Sequence, residues 1–367
     1  MQNTVTEPVV RIQNVLIEQD FSLKELPHTI IHLLQTAHLP WLNSLQFCTG
    51  YPHDPAERVF IRGDSEKIHQ AVFYRLIKRF GFLRIIEVIG FPDIEDKAIQ
   101  SLIKTHHAQL AVVNRMELPV KPDEQWRPTQ AHVYAKTYIP IIELPATKEE
   151  YLKQLGKKKR ERYPNYWRRL NRHFNPDGSD SNKSGANRAI GSGIEIECRT
   201  AHEIKLEDVI LLECLNRDRR SGKGKGVDSI HDIEARQKHK FPLTTASGYM
   251  VTIKNNGKVL GGTLSFICRD EAYLAIIAHD PAHEHLNVGT LVLWKTIEQL
   301  IDKGITQFNL LWGRQPYKTQ FLGVEYPWSI HIISPYQWLA VIWKIQVAVN
   351  EFYIRGWRFL KTRLGLS

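Results

Sequence analysis

Cysteine is scarce in this chain: four residues in 367, Cys48, Cys198, Cys214 and Cys268, far apart and with no CxxC pair. That argues against a disulfide framework or a zinc site and fits a reducing compartment. A long apolar run is missing too. No stretch of about 20 uncharged apolar residues is present to span a bilayer; the nearest, Tyr336 to Ile354, carries Lys344 and Glu351. The start, MQNTVTEPVVRIQNVLIEQD, has no basic segment followed by an apolar one, so no secretory signal is expected and the expected location is cytoplasmic. No repeat of short period is visible, which excludes a solenoid.

What is present is a folded, basic protein. Hydrophobic residues make up 43% and charged residues 24%, and 367 residues point to two domains. The net charge of +10 favours acidic partners: nucleic acid, anionic lipid or phosphorylated ligands.

Residues 1–60 give few signals. The apolar spacing of Ile68, Val72, Phe73, Leu76, Ile77 and Phe80 predicts an amphipathic helix over 68–80, closed by Gly81. Strands follow at 82–90 and 108–116 with a helix at 94–105 between them, an α/β unit, and a further strand covers 133–144. Thr147 with Glu150 reads as a capping box opening a helix over 147–174, which Pro164 should kink or split. Residues 175–193, rich in Gly, Ser and Asn, read as a disordered insertion. Beyond it come a strand at 193–201, a helix from Leu206 to about Arg219, and a basic loop at 220–229. A hairpin over 249–267 turns on Asn256-Gly257. A third strand covers 271–280, a helix opens at Gly289 and ends at Gly304, and strands cover 305–313 and 329–335.

This order resembles the GNAT acyltransferase superfamily, and within it the FemAB-like and CelD-like branch linked to peptidoglycan and exopolysaccharide synthesis. Four stretches carry the likeness: the basic helix YLKQLGKKKRERYPNYWRRL, the segment NRDRRSGKGKG, the run from GGTLSF through AYLAIIAHDPAHEHLNVGTLVLWKTIEQLIDKG, and ITQFNLLWGRQPYKTQF. Together they span about residues 148–325. The resemblance implies an α/β (α+β) fold of tandem GNAT-like domains, with mixed, largely antiparallel sheets flanked by helices. The domains would be 1–145, a degenerate first half; 146–335, the acyltransferase half containing the 175–193 insertion; and 336–367, an amphipathic helical tail. It departs from the superfamily at the pyrophosphate loop, where Glu284-His-Leu-Asn-Val-Gly289 keeps one glycine only.

Several residues then become candidates. Val288, Gly289, Thr290 and Leu291 lie at a helix mouth, where free N–H groups and the positive end of the macrodipole suit a pyrophosphate; a glycine chosen for close packing is the plain alternative. At the end of the preceding strand, a backbone N–H near Ala278 could polarise a thioester carbonyl, and His279 or Asp280 could act as general base, unless Asp280 merely caps the turn at Pro281. His283 and His285 beside His279 invite a metal, but no zincin-type pattern accompanies them, and no metal is expected. Tyr317 could protonate a leaving thiolate and Lys318 could pair with a phosphate or carboxylate; a packed Tyr and a solvated Lys are the alternative. The basic helix 153–172, with Tyr166 and Trp167 among its cations, could bind ligand phosphates, RNA or lipid headgroups, or could simply be solvated. The tail 336–365 could lie on the inner face of a membrane or pack on its own protein.

The leading expectation is an acyltransferase moving an acyl group, acetyl in the first instance, from acyl-CoA to an amine or hydroxyl of a sugar or cell-envelope precursor, by direct attack in a ternary complex. No Ser/His/Asp or Cys/His arrangement calls for a covalent intermediate. The alternatives are a FemAB-type transferase using aminoacyl-tRNA, and a non-catalytic membrane- or nucleic-acid-binding module.

Overall fold

The computed structural model describes residues 17–23, 57–63, 68–79, 81–89, 96–116, 133–176, 193–221, 228–311 and 316–336, and parts of 338–349. The expected insertion at 175–193 falls almost wholly outside these residues, as do most of the basic loop at 220–229 and the tail beyond 349. The chain divides into two compact units.

The first unit comprises residues up to 49, 53–115 and 330–344. Strands β1 (Ile17–Ser22), β2 (Glu57–Gly63), β3 (Ile68–Arg79) and β4 (Leu83–Val88) pair in sequence, each antiparallel to the last. Helix α1 (Asp96–Thr105) crosses over, and β5 (Leu110–Met116) returns parallel to β4. The helix expected over 68–80 is the strand β3 instead. Ala71, Val72, Phe73 and Tyr74 are all buried in succession, as in a strand covered on both faces, and continuous burial of that kind leaves no alternation to distinguish it from a helical stripe. Its β-branched and aromatic residues supply the preference that decides the outcome. The core gathers Val72, Tyr74 and Ile86 from the sheet with Ile99, Leu102 and Ile103 from α1.

The second unit comprises residues 50–52, 116–329 and 345–367. Its strands lie in the order β6 (Val133–Glu143), β11 (Gln307–Asn309), β10 (Glu271–His279), β9 (Lys258–Cys268), β8 (Gly248–Asn255), β7 (Ile194–Thr200). All of these neighbours are antiparallel except β10 and β11. The β8–β9 turn has Asn256 and Gly257 both at positive φ (48° and 77°), the two-residue turn that matches strand twist.

The expected helix 147–174 is two helices, α2 (Lys148–Gln154) and α3 (Lys157–Phe174), broken at Leu155-Gly156 rather than at Pro164, which α3 absorbs. Thr147 caps α2 as expected, its hydroxyl accepting from the Glu150 N–H at 3.2 Å. Helices α4 (Leu206–Ser221), α5 (Ile230–Ser247) and α6 (Val288–Asp302) follow, then the short α7 (Pro316–Gln320) and β12 (Val324–Ile333). The 305–313 strand is cut to three residues, whereas the last strand begins five residues earlier than expected, at Val324.

Gly261 and Gly262 fix how closely helices approach from either side. A Cβ on Gly261 would meet Val288 of α6 at 2.8 Å, and one on Gly262 would meet Leu212 of α4 at 2.7 Å. Successive strand residues face opposite ways, so the sheet is covered by α6 on one face and α4 on the other. The α6 face holds the larger core: Leu293, Trp294, Ile297 and Leu300 against Tyr249, Val251, Ala272 and Leu274. Tyr163 of α3 packs on Trp294 (centroids 4.1 Å apart) and stacks on Phe321 (5.3 Å), contacts of about 0.5–1.5 kcal/mol each beyond area burial.

Candidate functional site

Strands β10 and β11 run parallel for three residue pairs only: Glu271 with Gln307, Ala272 with Phe308 and Tyr273 with Asn309. Past that point they part. β10 continues to His279 on its β9 side, through an irregularity between Leu274 and Ile276 that leaves Ala275 exposed. β11 stops at Asn309, and the chain bends away: the Leu310 N–H donates to the Pro140 C=O of β6 (2.9 Å), and Leu311 takes the left-handed φ of 53°. The β11 side of β10 from Leu274 to His279 is therefore released from the parallel ladder.

Lys318 holds this divergence. It is 4% exposed, and its Nζ donates to the Leu310 C=O (2.8 Å) and the Leu311 C=O (3.2 Å), the carbonyls at the bend. Burial lowers its pKa to about 8. Sequence reasoning set Lys318 against a phosphate or carboxylate; its ammonium is instead directed at main-chain carbonyls, so it shapes the site from beneath. Tyr317 precedes it in α7, and its side chain lies outside the described residues.

At the far end of β10, Ala278 is fully buried and His279 pairs with Gly261. Asp280 caps the 3-10 turn Pro281–Leu286, accepting from the Ala282 N–H at 3.0 Å, and faces Lys258 Nζ and His283 Nδ1, each at 3.3 Å. Burial works against its ionisation, but the Ala282 N–H, Lys258 and His283 outweigh it and hold the carboxyl below the usual carboxylate range. A base already so stabilised as its anion is a poor proton acceptor. Asp280 caps this turn, one of the two roles considered for it.

The mouth of α6 is built from Asn287 in the left-handed conformation (φ 59°), whose C=O accepts from the N–H groups of Thr290 and Leu291, both at 3.0 Å. The N–H groups of Val288 and Gly289, at the first helical positions, have no intrahelical acceptor. Val288 and Leu291 turn their side chains into the core. Gly289 has a specific neighbour: a Cβ there would lie 2.7 Å from His279 Nδ1. The glycine thus makes room for the imidazole, which the structure brings against the helix mouth. Sequence reasoning named both residues without seeing that one requires the other, because spacing along the chain carries no information on a ring lying across ten residues.

The aromatic residues named in the basic helix, Tyr166 and Trp167, are half-buried. Both pack against the core beneath α6, with Lys295 Nζ 5.4 Å from the Trp167 ring centroid. Arg169 donates to the His285 C=O, which ties α3 to the 3-10 turn. His173, His283 and His285 lie near one another, with ring centroids 5.5–6.1 Å apart from His173, but no group of metal-binding side chains occurs among the described residues. In the tail, Trp338, Val341, Ile342, Ile345 and Val349 are exposed, while the Arg79 guanidinium lies 5.1 Å from the Trp343 ring centroid. No helix of the described residues is long and apolar enough to cross a membrane.

Residues 241–319, which run from the end of α5 to α7, match the family model described as an acetyltransferase (GNAT) domain. No protein of curated function matches the sequence. Among solved structures, FemX aligns over 89% of this chain and 100% of its own at 10% identity, with a TM-score of 0.54. A tandem GNAT protein from the clavulanic acid biosynthesis pathway aligns over 88% and 98% at 10% identity (TM-score 0.45). The C-terminal domain of a putative lysylphosphatidylglycerol synthetase from Agrobacterium fabrum aligns over 75% and 84% at 10% identity (TM-score 0.42). The fold is thus GNAT, a mixed sheet flanked by helices, and residues 241–319 are similar to an acetyltransferase-type GNAT domain.

Proposed function

We propose that the second unit transfers an acyl group, acetyl in the first instance, from an acyl-CoA thioester to an amine or hydroxyl of a sugar or cell-envelope precursor. In this reading residues 1–145 and 146–335 are two GNAT-like halves, and the second carries the chemistry. The observation that carries it is the divergence of β10 from β11 after Tyr273 and Asn309. It offers strand-edge N–H and C=O groups to an extended, amide-containing arm, such as a coenzyme A donor possesses. The α6 mouth fits the donor's phosphates in charge: no acidic residue stands in its first turn, and two N–H groups point out of it. The His279 ring against Gly289 narrows that mouth on one side.

The residues divide the work as follows. Main-chain N–H groups on the released edge of β10 stabilise the oxyanion that forms when the acceptor adds to the thioester carbon. His279, at the strand end, takes the proton from the attacking amine or hydroxyl, the role that the low pKa of Asp280 denies to its neighbour. Tyr317 returns a proton to the departing thiolate. Lys318 fixes the bend that keeps the strands apart. The acceptor class is supported by the likeness of residues 148–325 to the envelope-polymer branch. An aminoacyl-tRNA donor is less well supported, because Tyr166 and Trp167, the aromatics that would stack on bases, already pack half-buried against the core.

The test is acetyl-CoA titrated calorimetrically into the full chain, then acceptor-dependent thiol release across a panel of amino sugars. We expect saturable binding and turnover, with His279→Gln lowering kcat about 10²-fold at unchanged acetyl-CoA affinity. Asp280→Asn should leave the shape of the pH profile above pH 5 intact, since that carboxyl is already ionised there. Absence of acetyl-CoA binding by the wild type would sink the proposal.

A further inference from the structure

The first unit contains a polar cluster that the acyl-transfer site does not use. Asp20 of β1 receives Arg58 Nε from β2 at 3.0 Å and stands 2.8 Å from His106 Nε2, just past the end of α1. The hydroxyl of Tyr74 from β3 lies 2.6 Å from the same His106 nitrogen. Burial disfavours the Asp20 anion, yet the bonds from His106, Arg58 and Tyr74 prevail and hold its carboxyl below the ordinary range. The cluster is closed on itself, with the carboxylate occupied by its neighbours, so it is no ligand site. Its consequence is that His106 is fixed through Nε2, and with it the turn joining α1 to β5.

That turn forms one wall of a cavity of about 330 Å³, at the small end of the range of ligand-binding clefts. Leu76 supplies an apolar wall on the same face of β3 as Lys78, which pairs across the strands with Arg84, and Ile77 borders the cavity from the strand's other face. Thr105, His106 and His107 complete it. No carboxylate lines the cavity, and among the described residues no acid pairs with Lys78 or Arg84; the Arg84 guanidinium makes one long bond, from Nη1 to the His106 C=O at 3.5 Å. Cations gathered without counter-ions repel one another unless an anion joins them.

The nearby end of α1 would oppose an anion if its carbonyls were bare. They are not. The N–H groups of His106, His107 and Ala108 donate to the C=O groups of Leu102, Lys104 and Ile103, at 3.0, 3.2 and 2.9 Å.

We propose that this cavity binds a small phosphate ester. The Arg84 fork and the Lys78 ammonium would neutralise a doubly charged phosphoryl group, and the Thr105 hydroxyl adds a donor. Leu76 takes a short carbon substituent, and the anchored His106 keeps the cavity formed before the ligand arrives. The site lies wholly within the first unit and does not depend on the acyl-transfer reading.

The experiment titrates phenyl phosphate into the full chain by calorimetry at low ionic strength. We expect one saturable site per chain, weakened about 10-fold or more in both Lys78→Gln and Arg84→Gln. Those side chains are exposed at strand ends, so both variants should keep the wild-type circular dichroism spectrum. Acetyl-CoA titrated into Lys78→Gln should bind as it does to wild type, which keeps the two sites experimentally separate. No saturable binding, equal binding by both variants, or benzoate binding as tightly as phenyl phosphate would overturn the assignment.

Discussion

The two units contain the same local device, a β-hairpin followed by a crossover helix and a parallel strand, and they finish it differently. In the first unit, β4 pairs with β5 at Ile85–Leu110, Ile86–Ala111 and Glu87–Val112; in the second, β10 pairs with β11 over an equal length. Beyond that point β4 ends at Val88, and the Asn114 amide of β5 reaches across to the Val88 C=O at 3.5 Å. In the second unit β10 continues for six more residues, while β11 is bent away and held by Lys318. The helix mouths differ in charge as well. The first is preceded by Asp93 and Glu95 and opens on Asp96, whereas the second opens on Val288-Gly289-Thr290. One shape therefore yields a gap bridged by a side chain, and an open edge beneath a helix start with no acidic residue in its first turn. In the proposed reading the second takes the phosphorylated thioester donor.

Removing Lys318 should break this contrast most strongly. Lys318→Met keeps the aliphatic stem but leaves the Leu310 and Leu311 carbonyls without the Nζ donor, at a cost of about 2–4 kcal/mol for two buried acceptors. Acetyl turnover should fall with stability, because the bend at Leu311 loses its anchor. The pH dependence gives an independent check. The folded pKa is about 8 against an ordinary 10.5, so burial costs most where the group must be charged, below pH 8. Between pH 8 and 10.5 the unfolded chain holds the proton that the folded chain has released, and stability through this group rises with pH. Denaturant melts across that window should show the wild type gaining on Lys318→Met as pH increases. Parallel curves would mean that the ammonium is not buried as described.

What the sequence made legible was the second unit far more than the first. The Asn256-Gly257 turn, the Thr147 cap and the Gly304 stop are local signals whose chemistry lies within a few residues, and each stands where it was expected. β3 was misread because burial on both faces erases the alternation by which a strand announces itself. The site divides along the same line. Gly289, His279 and Lys318 were all named from the sequence, but their working relations are not local: a ring against a helix mouth, and an ammonium reaching back to carbonyls seven and eight residues earlier. The cluster of Asp20, Arg58, Tyr74 and His106 draws on four elements, and no spacing rule joins them.

Gly289 offers a sharper and smaller test, whose sign depends on its partner. Its φ lies outside the left-handed region, so alanine would ordinarily favour the helix by up to about 1 kcal/mol. With His279 in place, the new Cβ would sit 2.7 Å from Nδ1, and the ring would have to move. Gly289→Ala should then destabilise by about 1–2 kcal/mol. In a His279→Ala background the same substitution should stabilise. A double-mutant cycle by chemical denaturation measures the reversal. Additive effects would show that Gly289 serves the helix mouth alone.

The smallest expected effect tests the other side of the comparison. Asn114 is half-buried and bonds the Val88 carbonyl across the gap that in the second unit stays open. At 3.5 Å the bond is long, so Asn114→Ala should cost about 0.5–1 kcal/mol, at the low end for a lost hydrogen bond. Asn114→Ala should leave acetyl-CoA affinity at the wild-type value, since the proposed donor site lies in the second unit. Amide hydrogen exchange at Ile89, whose N–H donates to the Phe73 C=O at 2.8 Å, reads any loosening of the β4 end that Asn114 ties to β5. Faster exchange there with unchanged acetyl-CoA binding is the expected pair of results. A loss of donor affinity in Asn114→Ala would mean that the bridged gap, and not the open one, serves the donor, and the assignment of chemistry to the second unit would fail.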